Sequence, residues 1–237
     1  MADEKGYTFY MIYLLNIIAT LLAAMVVLTL HEFAHAFVAY KCGDPTAKIA
    51  GRMTLNPMKH FDPMGLCLFI FARFGWAKPV PINPNNFKNR VWGSFFTSAA
   101  GILVNYLSAF LIFYPVLFLT SKYVLPLVAG KYIYYFLSGL TGSLFWSSIY
   151  FSVFNFLPIY PLDGFNMWDA LDRRGNKVLQ FLRTYGSYIL LGLIAINILT
   201  DYIFVLQYIN LLGFIMDTLS EIIATPIVWL WGIIFGG

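Results

Sequence analysis

The sequence predicts an all-α polytopic membrane protein: a bundle of four to six transmembrane helices, with a small membrane-associated extended or β segment between the first two spans. Three observations predict it. Hydrophobic residues make up 60% of the 237 and charged residues only 11%, against about 45–50% and about 25% in ordinary soluble chains. Several runs approach or exceed the roughly 20 apolar residues that a helix needs to cross the hydrocarbon core. The basic residues gather in alternate connections between those runs. So little polar surface excludes a disordered chain, a nucleic-acid-binding domain and a conventional water-soluble enzyme.

The first span runs from Tyr7 to Leu30 without a charged side chain. Met-Ala-Asp-Glu-Lys before it lacks the basic region of a signal peptide, so the span is expected to be retained. The helix carrying it is placed at 7–40. Residues 41–90 then form a proline-rich loop at the membrane surface, holding six of the eleven prolines. Proline at that density opposes helix and favours short strands or a hairpin. Within the loop, Met64 to Ala72 is apolar but too short to span, so it is expected to dip into the membrane or pack on the helices. Phe95 to Thr120 gives the second span, in 91–120, and Tyr132 to Phe156 the third, in 131–171. Tyr185 to Thr200 starts a fourth. A fifth is expected around Tyr202 to Phe214 or Ile222 to Phe235, within the C-terminal helices at 184–237. The whole reads as one integral-membrane domain, and neither cysteine, Cys42 nor Cys67, has the spacing of a zinc knuckle or disulfide scaffold.

Loop charges give an orientation. Twelve Lys and Arg residues lie between spans one and two or three and four, and three lie on the opposite side. The positive-inside rule makes the richer side cytoplasmic and puts the N-terminus outside.

At the cytoplasmic end of the first span stands His31-Glu32-Phe33-Ala34-His35. Positions i and i+4 share a helix face, so both imidazoles can reach one metal ion, and Glu32 is placed to take a proton from water there. Ionisable groups in one turn at membrane depth are costly unless something binds them. With Lys41 as interfacial anchor, the pair is expected roughly 9–15 Å inside that anchor. The bland alternative is a buried hydrogen-bonded cluster.

A catalytic zinc site usually takes a third protein ligand. One candidate is Asp163, in Asn155-Phe156-Leu157-Pro158-Ile159-Tyr160-Pro161-Leu162-Asp163-Gly164, which closes the third span on the side of the histidines. The two prolines would break the helix and turn the carboxylate inward. Asp163 could instead merely cap a short helix. The other candidate is His60, the one remaining histidine.

These elements, in this order, resemble the site-2 protease family of intramembrane zinc metalloproteases. Gly51-Arg52-Met53-Thr54-Leu55-Asn56-Pro57, His60-Phe61-Asp62-Pro63 and Gly75-Trp76-Ala77-Lys78-Pro79-Val80-Pro81 look like the loop after the first catalytic helix in compact bacterial and archaeal members. Ala99-Ala100-Gly101-Ile102-Leu103-Val104-Asn105 fits the family's G-x-x-x-N element. Ile102 and Tyr160 replace prolines usual in the family, and Phe165-Asn166 stand where small or basic residues often follow Asp-Gly. Nothing in the sequence reads as a PDZ or CBS domain.

The resemblance implies one Zn2+ per chain, held by His31, His35 and Asp163, with Glu32 as the catalytic base. It implies a zinc metalloendopeptidase in a prokaryotic cell membrane, site toward the cytoplasm, whose partners are the lipid bilayer and transmembrane protein or peptide substrates. Asn105 and Asn155 are either helix-to-helix hydrogen-bonding residues or contacts to the substrate or its oxyanion. The extended loop is expected to offer an edge to which unwound substrate adds as a strand. The rivals are a zinc transporter and a non-catalytic zinc-binding membrane protein.

Overall fold

The computed structural model describes residues 2–65, 77–172, 174–200, 203 and 208–236. Its principal helices are α1 (Ala2–Cys42), α2 (Thr46–Ile49), α3 (Arg90–Ser108), α4 (Tyr114–Leu119), α5 (Lys131–Phe156), α6 (Asp163–Leu171), α7 (Lys177–Leu199) and α8 (Leu211–Gly236). A π-helical stretch, Ala109–Phe113, joins α3 to α4, so Arg90–Leu127 forms one long helical column. Among the described residues, four helical stretches are long and apolar enough to cross a membrane: Phe9–Cys42, Arg90–Leu127, Lys177–Leu199 and Leu211–Phe235. The chain is a multi-pass membrane protein.

The 41 residues of α1 make a rod of roughly 60 Å, about twice the hydrocarbon thickness. Its packing face is a stripe at four-residue intervals: Ala19, Ala23, Val27, His31, His35 and Ala39 are all buried. Small side chains at this spacing let helix backbones approach closely. The two histidines are the next steps of that stripe and so point into the bundle. On other faces Leu14, Ile18, Leu22 and Val26 are exposed, as befits a surface covered by lipid.

Helix directions follow from paired contacts. The Thr20 and Ser143 hydroxyls are 3.1 Å apart and the rings of His31 and Phe151 meet 6.5 Å apart, so α1 and α5 run parallel. α3 runs antiparallel to both, its Thr97 beside His35 and its Asn105 beside His31. α8 meets α5 where Tyr150 donates to Asp217 at 3.0 Å, and its paired contacts show it running with the Arg90–Leu127 column, hence antiparallel to α5. Farther along, the Trp231 indole donates to the Phe110 carbonyl and Lys122 to that of Phe235. Val27, Ala109, Phe113, Phe145, Ile149, Ala224 and Ile227 form the core at this crossing. A second core joins Leu157, Leu162, Leu190, Ile194 and Leu212, which places α7 against the end of α5 that leads into Asp163.

The expected third span coincides with α5. That helix is long enough to cross, but its Ser, Tyr, Gly and Thr residues make it less apolar than the other four, in keeping with a place between α1, α3 and α8. The fifth span, expected in either of two places, is the single helix α8. The loop after α1 is turn-rich and extended, with 3-10 turns at Pro57–Lys59 and Pro84–Asn86. Among the described residues it forms no strand. The dipping segment expected at Met64 to Ala72 lies mostly outside the described residues, as do Gly75 and Trp76.

Candidate metal centre

Two helix faces and one helix start converge on a small volume. His31 and His35 project from α1 with their Nε2 atoms 3.0 Å apart. Asp163 Oδ2 lies 3.1 Å from the first and 3.2 Å from the second. Among the described residues this is the one group of three or more His, Cys, Asp or Glu whose ligand atoms all lie within 4.8 Å of one another.

Chain chemistry puts Asp163 there. Pro158 and Pro161 lack amide hydrogens and force their preceding residues out of helical geometry, so α5 stops at Phe156 and the backbone turns before α6 starts. Asp163 is the first helical residue, after the cap position Leu162, and no side-chain capping bond forms. Gly164 lets this turn close: a Cβ there would lie 2.2 Å from the Phe156 carbonyl oxygen. Gly101 plays the matching part on α3, where a Cβ would stand 2.5–2.6 Å from ring atoms of both histidines.

The donor set fits a zinc ion. Ligand atoms about 2.0–2.1 Å from a tetrahedral zinc lie roughly 3.3 Å apart, close to the three separations here. Asp163 Oδ2 is buried and makes no properly formed hydrogen bond. His35 Nδ1 lies 2.7 Å from the Thr97 carbonyl oxygen; since a carbonyl only accepts, Nδ1 carries the proton and Nε2 keeps its lone pair for the cluster. The Asp163 carboxylate oxygen and the His35 Nε2 lone pair, facing each other beside His31 Nε2, suit a cation. Three protein donors also leave a fourth position open, as catalytic zinc sites do.

Glu32 is buried beside the cluster, and its Oε2 accepts the main-chain amide of Val80 at 2.8 Å. His60 is not in the cluster. It is buried in the loop with Nε2 2.8 Å from the Thr54 carbonyl. Asn105 is 0% exposed, with Nδ2 3.2 Å from His31 Nδ1 and Oδ1 lacking a hydrogen-bond partner. Asn155 donates to the Phe151 carbonyl of its own helix.

Three features here were not in the sequence reading. The Thr97 carbonyl and the Val80 amide are main-chain groups, which no side-chain motif can announce. The third is Asp44, fully buried just after α1. Its carboxylate accepts from the Thr46 hydroxyl and amide, from the Asn83 amide at 2.7 Å and from the Asn86 side chain at 2.8 Å. It thereby fastens the proline-rich loop to the end of α1.

The sequence profile of Peptidase family M50 matches residues 19–197. A Bacillus subtilis (strain 168) protein named "Putative zinc metalloprotease YwhC" is 37% identical over 189 residues, covering 78% of this chain and 84% of that one. A Mycolicibacterium smegmatis (strain ATCC 700084 / mc(2)155) protein named "Putative zinc metalloprotease Rip2" is 30% identical over 196 residues, covering 76% and 68% respectively. No solved structure matches the chain.

Proposed function

The chain belongs to peptidase family M50, the site-2 protease family, and on that footing we propose that it is a zinc-dependent endopeptidase cutting peptide bonds in or near transmembrane segments of membrane proteins. The observation that carries the reading is the meeting of Asp163, at the start of α6, with His31 and His35 beside Glu32 on a membrane helix. In this reading His31 Nε2, His35 Nε2 and Asp163 Oδ2 hold the zinc. Zinc bound there acidifies water and polarises the scissile carbonyl.

The chain's own residues do the rest. Thr97 and Asn105 fix the imidazole rings from behind. Glu32, one residue from the first ligand, takes the proton from water and passes it to the leaving amine. A substrate helix must unwind locally before its peptide bond can be attacked, since its backbone groups are otherwise closed on one another. The basic loops, read by the positive-inside rule, support a site facing the cytoplasm.

One cluster among the described residues supports an enzyme over a transporter, in which ligand groups recur along a path. The test is incubation of purified protein in nanodiscs with single-span test substrates, beside Glu32→Gln, with zinc measured in both. Cleavage by the wild type alone, at equal zinc content, is the expected result. Zinc uptake into liposomes without cleavage of any substrate would overturn the proposal.

A further inference from the structure

The Val80 amide bonded to Glu32 belongs to Pro79-Val80-Pro81. Proline has no amide hydrogen and a fixed φ, and it holds the residue before it in an extended conformation. Val80 therefore offers the one N–H of the tripeptide, on a backbone with little freedom to turn it elsewhere. Both flanks are pinned. The Lys78 amide donates to the His60 carbonyl at 2.9 Å and Arg52 donates to the Lys78 carbonyl at 2.6 Å. Beyond Pro81, Asn83 is held by buried Asp44. The Val80 side chain is itself buried, clustered with Ala36 of α1 and Ala47 of α2.

We propose that the Val80 main-chain amide is a positioning group for Glu32: it holds Oε2 and so leaves Oε1 turned to the reacting water. The inference rests on the endopeptidase reading and deepens it. It also adds to the part expected of the loop. From 78 to 84 the amides of Lys78, Val80 and Asn83 are already bonded within the chain and Pro79, Pro81 and Pro84 have none. Ile82 alone keeps an N–H without a partner among the described residues of this stretch, so one donor is left there for a substrate strand. Through the Val80 amide the segment serves the base as well.

The test replaces the Val80 peptide N–H by an ester oxygen, introducing the α-hydroxy analogue of valine during cell-free synthesis into nanodiscs. The same exchange at Ile82 is the control. The Val80 ester should lower kcat by about tenfold to a hundredfold, the range for losing a hydrogen bond to a charged group, with KM and zinc content unchanged. The Ile82 ester should match the parent protein. An unchanged kcat, a raised KM at constant kcat, or loss of zinc in the Val80 ester would each overturn the proposal. A second measurement needs no turnover. The carboxylate stretch of Glu32, taken from the infrared difference between parent and Glu32→Gln, should shift in the Val80 ester and stay in place in the Ile82 ester. If the parent protein cuts nothing, the endopeptidase reading falls, and a static Glu32 band would separately refute the Val80 contact.

Discussion

The carbonyl oxygen of Thr97 lies 2.7 Å from Nδ1 of His35, across the α1–α3 interface. This contact sets the tautomer of one imidazole from a neighbouring helix. His31 has Asn105 in the corresponding place, with the amide nitrogen 3.2 Å from Nδ1. Turned end for end, the Asn105 amide would present Oδ1, which otherwise lacks a hydrogen-bond partner, to the His31 Nδ1–H. Such a turn exchanges two nearly isosteric groups, and it gives both rings the same tautomer, each with Nε2 free for metal.

Asn105→Ala should therefore weaken zinc binding about 10–100-fold, the usual cost of losing a group that orients a ligand. Competition against a chelator of known affinity reads it directly. Equal affinity in the variant and the parent would show that Asn105 packs beneath His31 without orienting it.

The three groups of the cluster and the acid beside it should separate by assay. Glu32→Gln is expected to keep one zinc per chain and lose cleavage by a factor of about 100 or more, in line with removal of a general base. His35→Ala and Asp163→Ala are expected to lose zinc as well. Full zinc content in Asp163→Ala would move the third ligand elsewhere.

How much of this was legible in the sequence depends on the kind of group. The spacing of His31 and His35 follows from helix geometry alone. Asp163 was legible because prolines and Gly164 mark where a helix must break and close. Gly101 was visible within a motif, but its reason, two imidazoles pressed against the α3 backbone, needed coordinates. Thr97 and Val80 act through main-chain atoms that carry no signature. Asp44 carries no local signature, since its partners Asn83 and Asn86 lie about forty residues away. Span boundaries were least legible at the C-terminal end, where Asp217 and Glu221 interrupt the apolar run; Asp217 accepts from Tyr150, and α8 continues through both.

Gly101 and Gly142 give a steric prediction with an internal control. A Cβ on Gly101 would come within 2.5–2.6 Å of both histidine rings, whereas one on Gly142 meets nothing within 4 Å. Gly101→Ala should push the imidazoles off their positions, lowering zinc content and costing about 1–3 kcal/mol by overpacking. Gly142→Ala should change neither. Zinc analysis and thermal unfolding in detergent measure both variants, and normal zinc binding by Gly101→Ala would mean that α3 yields at that position.

Asp44 adds a pH dependence to the loop that carries Val80. Burial alone would raise its carboxyl pKa, but hydrogen bonds from the Thr46 hydroxyl, the Asn83 amide, the Asn86 side chain and the Thr46 amide outweigh it, leaving the value below the usual carboxylate range. A carboxylate depressed in the folded state stabilises the fold in full above its unfolded value, about 3.9, and that contribution fades as pH falls through the lower folded value. Hydrogen exchange of the Asn83 amide should then be slow at pH 5 to 7, after correction for intrinsic rates, and accelerate only well below pH 4. Asp44→Asn places an amide group among four donors, so one of the two acceptor oxygens is replaced by a fifth donor. The loop should then open readily even at neutral pH, with a loss of about 2–3 kcal/mol of local protection. Because Asn83 follows Val80 by three residues, cleavage should fall with it while zinc remains bound. Identical exchange curves for Asp44→Asn and the parent would show that the loop is held to α1 by its apolar contacts alone.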